Sequence, residues 1–468
     1  MPLWIAWWSA VLALRPAFSR YRTFLWFGVC LAGYTVREDS AGVSSIVRSL
    51  GLIDSCYDRL LYFFHSPACD LCRLTRCWVQ WVIRSMPGLL RCHGRLVLVG
   101  DGIKISKAGR KMPAVRLLHQ ESDSNSKRPY IMGHSCQAVA ILAGTLRSVL
   151  AIPLVCRIHE GLVFSNRDRR TLMDKFLTMI EMLLIQAPFY LILDAYYASG
   201  TIVRGLLANN QHLITRARTN AVAFLPAPEI PHSKRKRGHP RKYGNKIRLR
   251  NLFAQPQAFT AAPSPVYGEK GVEIRWCILD LLWNSPGCLV RFVLVIHPHR
   301  GRIILMCTDL SLSALEILRL YALRFKIEVS FKQALRTVGT YHYHFWMKAM
   351  KPIQRFSKNQ YLHSTTTRYR NQVRRKLDAY HRHIQCGLIV QGLLQYLSLA
   401  FSKNVWRYFG SWIRTIRPGI LPSEQVTAMA LRNTLPHFLA VFSPTIILAK
   451  FIRQQADPQR SERFRMAA

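Results

Sequence analysis

Two aspartates close apolar runs of strand length: Asp101 in "RLVLVGDGI" (95–103) and Asp194 in "FYLILDAYYASG" (189–200). A carboxylate at the end of a buried strand is costly unless it is solvated, paired or metal-bound. Taken singly, each reads more simply as a turn or helix-cap residue. A third acid, Glu328, lies in "YALRFKIEVSFKQALR" (321–336). There Tyr321, Arg324 and Glu328, with Lys332 and Arg336 beyond, recur at offsets that share one helical face. Taken singly, that pattern describes an amphipathic surface helix with a solvated ion pair. Taken together, the two strands should be sheet neighbours and the helix enters the same sheet. Three carboxylates brought together cannot all ionise without a cation between them. Hard oxygen ligands select Mg²⁺ or Mn²⁺. Such a cluster, holding two ions about 3.5–4 Å apart, is the makings of a phosphoryl-transfer site.

The charge balance points to the substrate. The chain has 468 residues, with 66 Lys+Arg against 24 Asp+Glu and a formal net charge of +42. Half the residues are hydrophobic, which excludes a disordered polycation. A folded polycation needs a polyanionic partner, and nucleic acid is the commonest; a basic membrane-surface protein is the competing class. "MPLWIAWWSAVLALRPAFSRYR" has no basic leader and is interrupted at Arg15-Pro16, and "FLWFGVCLAGYTV" (24–36) is too short to span a bilayer. The expectation is a cytoplasmic protein with no membrane partner. Cys69, Cys72 and Cys77 have a C-x₂-C-x₄-C spacing compatible with zinc, but no second pair follows. Most other cysteines sit in apolar runs as small buried hydrophobes.

The elements that must position the acids follow from periodicity. Residues 1–93 read as a helical N-terminal region, a DNA-binding bundle or a plain structural one, and 94–204 as the first part of an α/β sheet domain, with strands, a helix at 171–188 and a buried strand. Residues 205–310 turn β-rich and contain the loop "PHSKRKRGHPRKYGNK", with no acid from Pro231 to Gly268. Within it "RKRGHPRKYG" resembles a minor-groove hook in which His239 replaces an Arg; Lys234, Arg235, Lys236, Arg237, Arg241 and Lys242 read as a loop that tracks phosphates. Residues 311–345 return to the sheet domain with the Glu328 helix, and 346–468 are helical, a possible dimerisation region. Residues 329–377 hold 11 Lys+Arg and no acid.

Other side chains have two readings each. Trp276 and Trp283 could stack on an unpaired base or be core aromatics. Lys104, Lys107 and Lys111 could line a DNA path or face water. His134 and His159 read as structural histidines, Trp346 as a core anchor among C-terminal helices, and "GLIVQGLLQYLSLAF" (387–401) as buried within its own domain rather than in a dimer interface.

The three acidic blocks, in this order, resemble those of bacterial insertion-sequence transposases of the DDE class, in the branch with a "YREK" signature. There the third acid sits in Y-x₂-R-x₃-E-x₆-K, and "YALRFKIE" matches the first three members. The signature Lys falls at Leu335, leaving Arg336 or Lys332 to substitute, and Phe325 follows the signature Arg where Trp is frequent. "LVLVGDGIKISKAGRKMP" and "LILDAYYASG" resemble the blocks around the first and second acids. A long insertion fits the 133 residues between Asp194 and Glu328. The resemblance covers roughly residues 20–440. It implies an RNase H-like core interrupted by a β-rich insertion, with Asp101, Asp194 and Glu328 as catalytic ligands of two Mg²⁺ or Mn²⁺ ions. It further implies Tyr321 and Arg324 beside a DNA phosphate, and double-stranded DNA cleaved and joined at transposon ends by a homodimer. A derived DNA-binding protein without chemistry, or a nuclease of the same fold, are the alternatives.

Overall fold

The computed structural model describes residues 2–39, 42–120, 128–145, 148–228, 241–410, 417 and 419–460. The chain begins with five helices: α1 (Pro2–Leu12), α2 (Tyr21–Val36), α3 (Val43–Ser49), α4 (Cys56–His65) and α5 (Leu71–Ser85). Helix α2 is apolar around its whole circumference, and every residue from Phe24 to Val36 is buried, as such a helix must be. Asp70 caps α5 by accepting the Arg73 amide at 3.0 Å.

The sheet follows, built from β1 (Arg95–Ser106), β2 (Tyr130–Thr145), β3 (Ser148–Ile158), then α6 (Leu172–Met182), β4 (Phe189–Leu193), α7 (Gly200–Ala208) and β5 (His212–Arg216). All five residues of β4 are buried. The N-terminus of α6 is closed by a reciprocal box between Thr171 and Asp174. Strand β2 runs antiparallel between β1 and β3, while β1, β4 and β5 are mutually parallel neighbours. The spatial order is therefore β3-β2-β1-β4-β5.

Among the strands that extend this sheet are β6 (Val222–Pro226), β7 (Tyr243–Arg248), β8 (Glu273–Trp283), β9 (Cys288–His297) and β10 (Gly301–Cys307). Strand β10 pairs antiparallel with β5, so the β-rich segment continues the core sheet through a shared edge. The strand β5, placed by periodicity with the insertion, belongs by pairing to both. After β10 come α8 (Ala314–Ala322) and α9 (Lys326–Gln333), a π turn at Ala334–Val338, and α10 (Thr367–Ala400), α11 (Ser402–Phe409), α12 (Glu424–Phe442) and α13 (Ile447–Gln455).

The first and last helices share one core. Trp4 stacks on Phe438 with centroids 5.0 Å apart, and the Tyr34 hydroxyl donates to the His383 carbonyl. Residues 387–395 of α10 are buried against this core and the sheet, so their apolar run is satisfied within the chain. No single described helix is long and apolar enough to cross a membrane.

Three expectations need correction, and the cysteine spacing has its outcome beside them. Asp101 lies in the middle of β1, which runs on to Ser106, rather than at a strand end. The segment 321–336 is two helices broken at Leu323–Phe325, because the last turn of α8 closes there and Arg324 occupies the turn. Trp346 is 66% exposed rather than a core anchor. Residues 341–347 are not helical, so inward and outward side chains alternate with a period of two, and Trp346 falls on the outer phase. Cys69, Cys72 and Cys77 are buried, exposed and half-buried respectively and form no described ligand cluster. Burial pushes the Cys69 thiol up to about 12, against thiolate ligation.

Candidate active site

The alternation along β1 places Asp101. Leu96, Leu98 and Gly100 face one side of the sheet, where a Cβ at Gly100 would sit 2.6 Å from Leu193 and 3.0 Å from Phe176 of α6. Val97 and Val99 face the other side and pack with Leu320, Leu323 and Ile327 of the α8–α9 pair. Asp101 continues that second phase and so points at the turn bearing Arg324.

Arg324 meets it. Its Nη1 donates to Asp101 Oδ2 at 3.0 Å, and its Nη2 donates to Glu328 Oε1 at 2.7 Å, one helical turn further on. The break between α8 and α9 thus leaves the Arg324–Glu328 spacing intact. Asp101 Oδ1 also accepts the Gly102 amide at 2.7 Å. Asp194, one residue beyond β4, caps the short turn Ala195–Tyr197 by accepting the Tyr196 amide at 3.1 Å, and its carbonyl accepts the Thr215 hydroxyl from β5. The cap role seen in the sequence is real.

Electrostatics join the three acids. Burial pushes the Asp101 carboxyl up to about 6; Arg324 opposes this, while the charges of Asp194 and Glu328 add to it. Burial would lower the Arg324 pKa, but Asp101, Tyr321 and Glu328 outweigh it and hold the guanidinium charged. Burial raises the Tyr321 hydroxyl, with Arg324 and Arg216 pulling it back. Tyr197 is buried beside the same acids, and after desolvation the charges of Asp101 and Asp194 raise its hydroxyl further. Sequence reasoning passed over Tyr197; its signal was the tyrosine pair that follows Asp194 after one alanine.

The donor set fits a divalent cation: hard carboxylate oxygens, mutually repelling, balanced by a guanidinium in contact with two of them. The three acids are not drawn within 4.8 Å of one another; among the described residues Cys92, His93 and Glu316 are the set that is, centred on a 2.8 Å His93–Glu316 pair.

The predicted DNA-binding side chains divide. Tyr321 is half-buried at the end of α8, and Lys332 is exposed on α9. In the π turn Leu335 is half-buried against the core, whereas Arg336 is exposed. A π turn accommodates one extra residue, which moves the outward position from Leu335 to Arg336. Arg241 and Lys242 are exposed before β7; Lys234, Arg235, Lys236 and Arg237 lie outside the described residues. Lys326, unnoticed in the sequence, sits 4.2 Å above the Tyr267 ring and ties the insertion to α9. Lys107 is buried, donating to the Tyr341 and Tyr343 carbonyls, so it neither lines a DNA path nor faces water. Trp276 and Trp283 are half-buried and pack on the cores of the sheet's two faces. His134 is fully buried and hydrogen-bonded, as a structural histidine should be.

A family model described as DDE superfamily endonuclease matches residues 13–266, a stretch that includes Asp101 and Asp194 and ends before Glu328. No curated protein matches. Among solved structures the chain is similar to a piggyBac transposase in a synaptic complex with hairpin DNA, at 11% identity and a TM-score of 0.38, over 96% of this chain and 75% of that one.

Proposed function

Because the chain belongs to the DDE superfamily endonucleases, whose model spans more than half of it, we propose that it is a transposase. In this reading it cleaves DNA at transposon ends and joins them to target DNA, with Asp101, Asp194 and Glu328 as the ligands of two divalent ions. The observation that carries the proposal is Arg324 bound to both Asp101 and Glu328 while Asp101 feels Asp194.

The strand order β3-β2-β1-β4-β5, with β1, β4 and β5 parallel, supports an RNase H-like reading of the core. When bound, the Mg²⁺ or Mn²⁺ ions would supply charge neutralisation and an activated oxygen for in-line phosphoryl transfer. The protein's part is to hold and orient. Arg324 has a planar fork that can grip two oxygens at once, from carboxylates or from a DNA phosphate. Tyr321 and the buried side of α8 fix that fork. Lys332 and Arg336 continue outward from Glu328 at one-turn intervals to take up backbone phosphates, with Arg336 standing for the signature Lys. The exposed Arg241 and Lys242 add cations for the duplex, and Lys234 to Arg237 are read from the sequence as further phosphate contacts. The bacterial insertion-sequence branch, a homodimer on DNA and a nucleoid location belong to the same proposal.

The family description also supports cutting without joining. Assays on DNA carrying the element's ends, with Mg²⁺ and then with EDTA, separate the outcomes. Metal-dependent joining identifies a transposase and cutting alone a nuclease. Tight binding without cutting in either condition would sink the catalytic reading.

A further inference from the structure

We propose that Trp346 is a stacking platform for an unpaired DNA base, beside the cations that follow Gly109 and next to Lys348. The proposal rests on the reading of the chain as a DNA-acting protein, and adds a surface that this reading does not require.

The inner side of the segment 341–347 is pinned. Tyr341, Tyr343, Phe345 and Met347 are all at most 5% exposed. Lys107 donates to the carbonyls of Tyr341 and Tyr343 and lies 3.8 Å from the centroid of the Tyr343 ring. The Tyr380 hydroxyl of α10 donates to the Phe345 carbonyl at 2.6 Å, and the Met347 amide donates to the Lys111 carbonyl at 3.0 Å. A strand-like segment held on one phase presents the other, so His344, Trp346 and Lys348 are exposed.

An indole left 66% exposed on a backbone this constrained loses apolar burial without gaining mobility. Its position gives it a partner. Trp346 lies over Gly109, whose Cβ, if present, would be 3.3 Å from the indole Nε1. Arg110 and Lys111 follow directly. The two segments that meet here, 102–119 and 329–377, contain no aspartate or glutamate. Around the ring, His344 and Lys348 on its own segment and Arg110 beyond Gly109 are exposed. A flat aromatic face beside cations matches a nucleic-acid strand whose bases are free to stack. In a duplex the faces of the bases are already occupied, so the ring selects unpaired nucleotides, while the flanking cations bind either form.

The test measures binding in EDTA, so that no chemistry intervenes, using the full chain with an oligothymidylate and a blunt duplex of equal length. Trp346→Ala is expected to weaken oligothymidylate binding about tenfold and duplex binding less than about twofold, with Trp346→Phe staying within about threefold of wild type. Lys348→Gln should weaken both forms alike. Equal melting temperatures would show that the exposed substitutions leave the fold intact. Equal effects of Trp346→Ala on the two forms, or none on either, would overturn the platform while leaving metal-dependent cleavage by wild type to stand. Wild-type protein that binds neither form would overturn both readings.

Discussion

Arg324 reaches across 223 residues of chain to Asp101, with 3.0 Å between Nη1 and Oδ2, while its other arm holds Glu328 on its own helix. One guanidinium therefore links the first and third acids, and each prediction about the site depends on what that link balances.

If the three acids are the metal ligands, Asp101→Ala, Asp194→Ala and Glu328→Ala should each lower cleavage by about a thousandfold or more. DNA affinity measured in EDTA should stay within about threefold. Affinity lost in parallel with cleavage would argue for a structural role instead.

Arg324→Lys keeps the charge but cannot span two carboxylates, and cleavage should fall by roughly 10–100-fold. Arg324→Ala removes the internal cation. Mg²⁺ should then raise the melting temperature more in this variant than in wild type, since the ion replaces a missing positive charge. Identical Mg²⁺ responses would show that ion and guanidinium do not answer to the same carboxylates.

Replacing Lys234, Arg235, Lys236 and Arg237 with glutamine should weaken DNA binding similarly across sequences. The plot of log K against log salt should become shallower by about 3 to 4. A loss confined to particular sequences would point to groove readout.

His134 sets a stability dependence on pH. Its Nε2 must donate to the Pro113 carbonyl, so Nδ1 accepts from the Tyr343 hydroxyl and the ring is neutral. Burial, with Lys107 adding to it, lowers the folded pKa to about 3 from 6.5. As pH falls below 6.5 the unfolded chain takes up this proton first, so stability drops between about 6.5 and 3, by up to ~1.4 kcal/mol per pH unit. His134→Gln should flatten the fall in urea midpoint between neutral and mildly acid pH. An unchanged slope would refute the assignment.

Much of this was legible in residue order. The apolar runs ending near Asp101 and Asp194 marked buried strands, and the offset between Arg324 and Glu328 survived a helix break because the turn preserves their spacing. The helix boundaries were less legible. Nothing in "YALRFKIE" distinguishes one continuous helix from two, since both bury Leu323 and Ile327 on the same side. Trp346 was misplaced for a related reason: "HYHFWM" carries aromatics at every phase, so composition could not tell a helix core from an extended segment. The partners Lys107 and Tyr380 decided it, and both are distant in sequence.

Residue types alone therefore determined the chemistry available to this protein: acids near strand ends, an excess of cations, and apolar periodicity enough for a large core. Tertiary structure alone decided which of those groups meet. The packing of the α8–α9 pair on Val97 and Val99 of β1 and the turn before α9 bring Asp101, Arg324 and Glu328 together, and only long-range packing, which no local pattern encodes, could turn Trp346 outward.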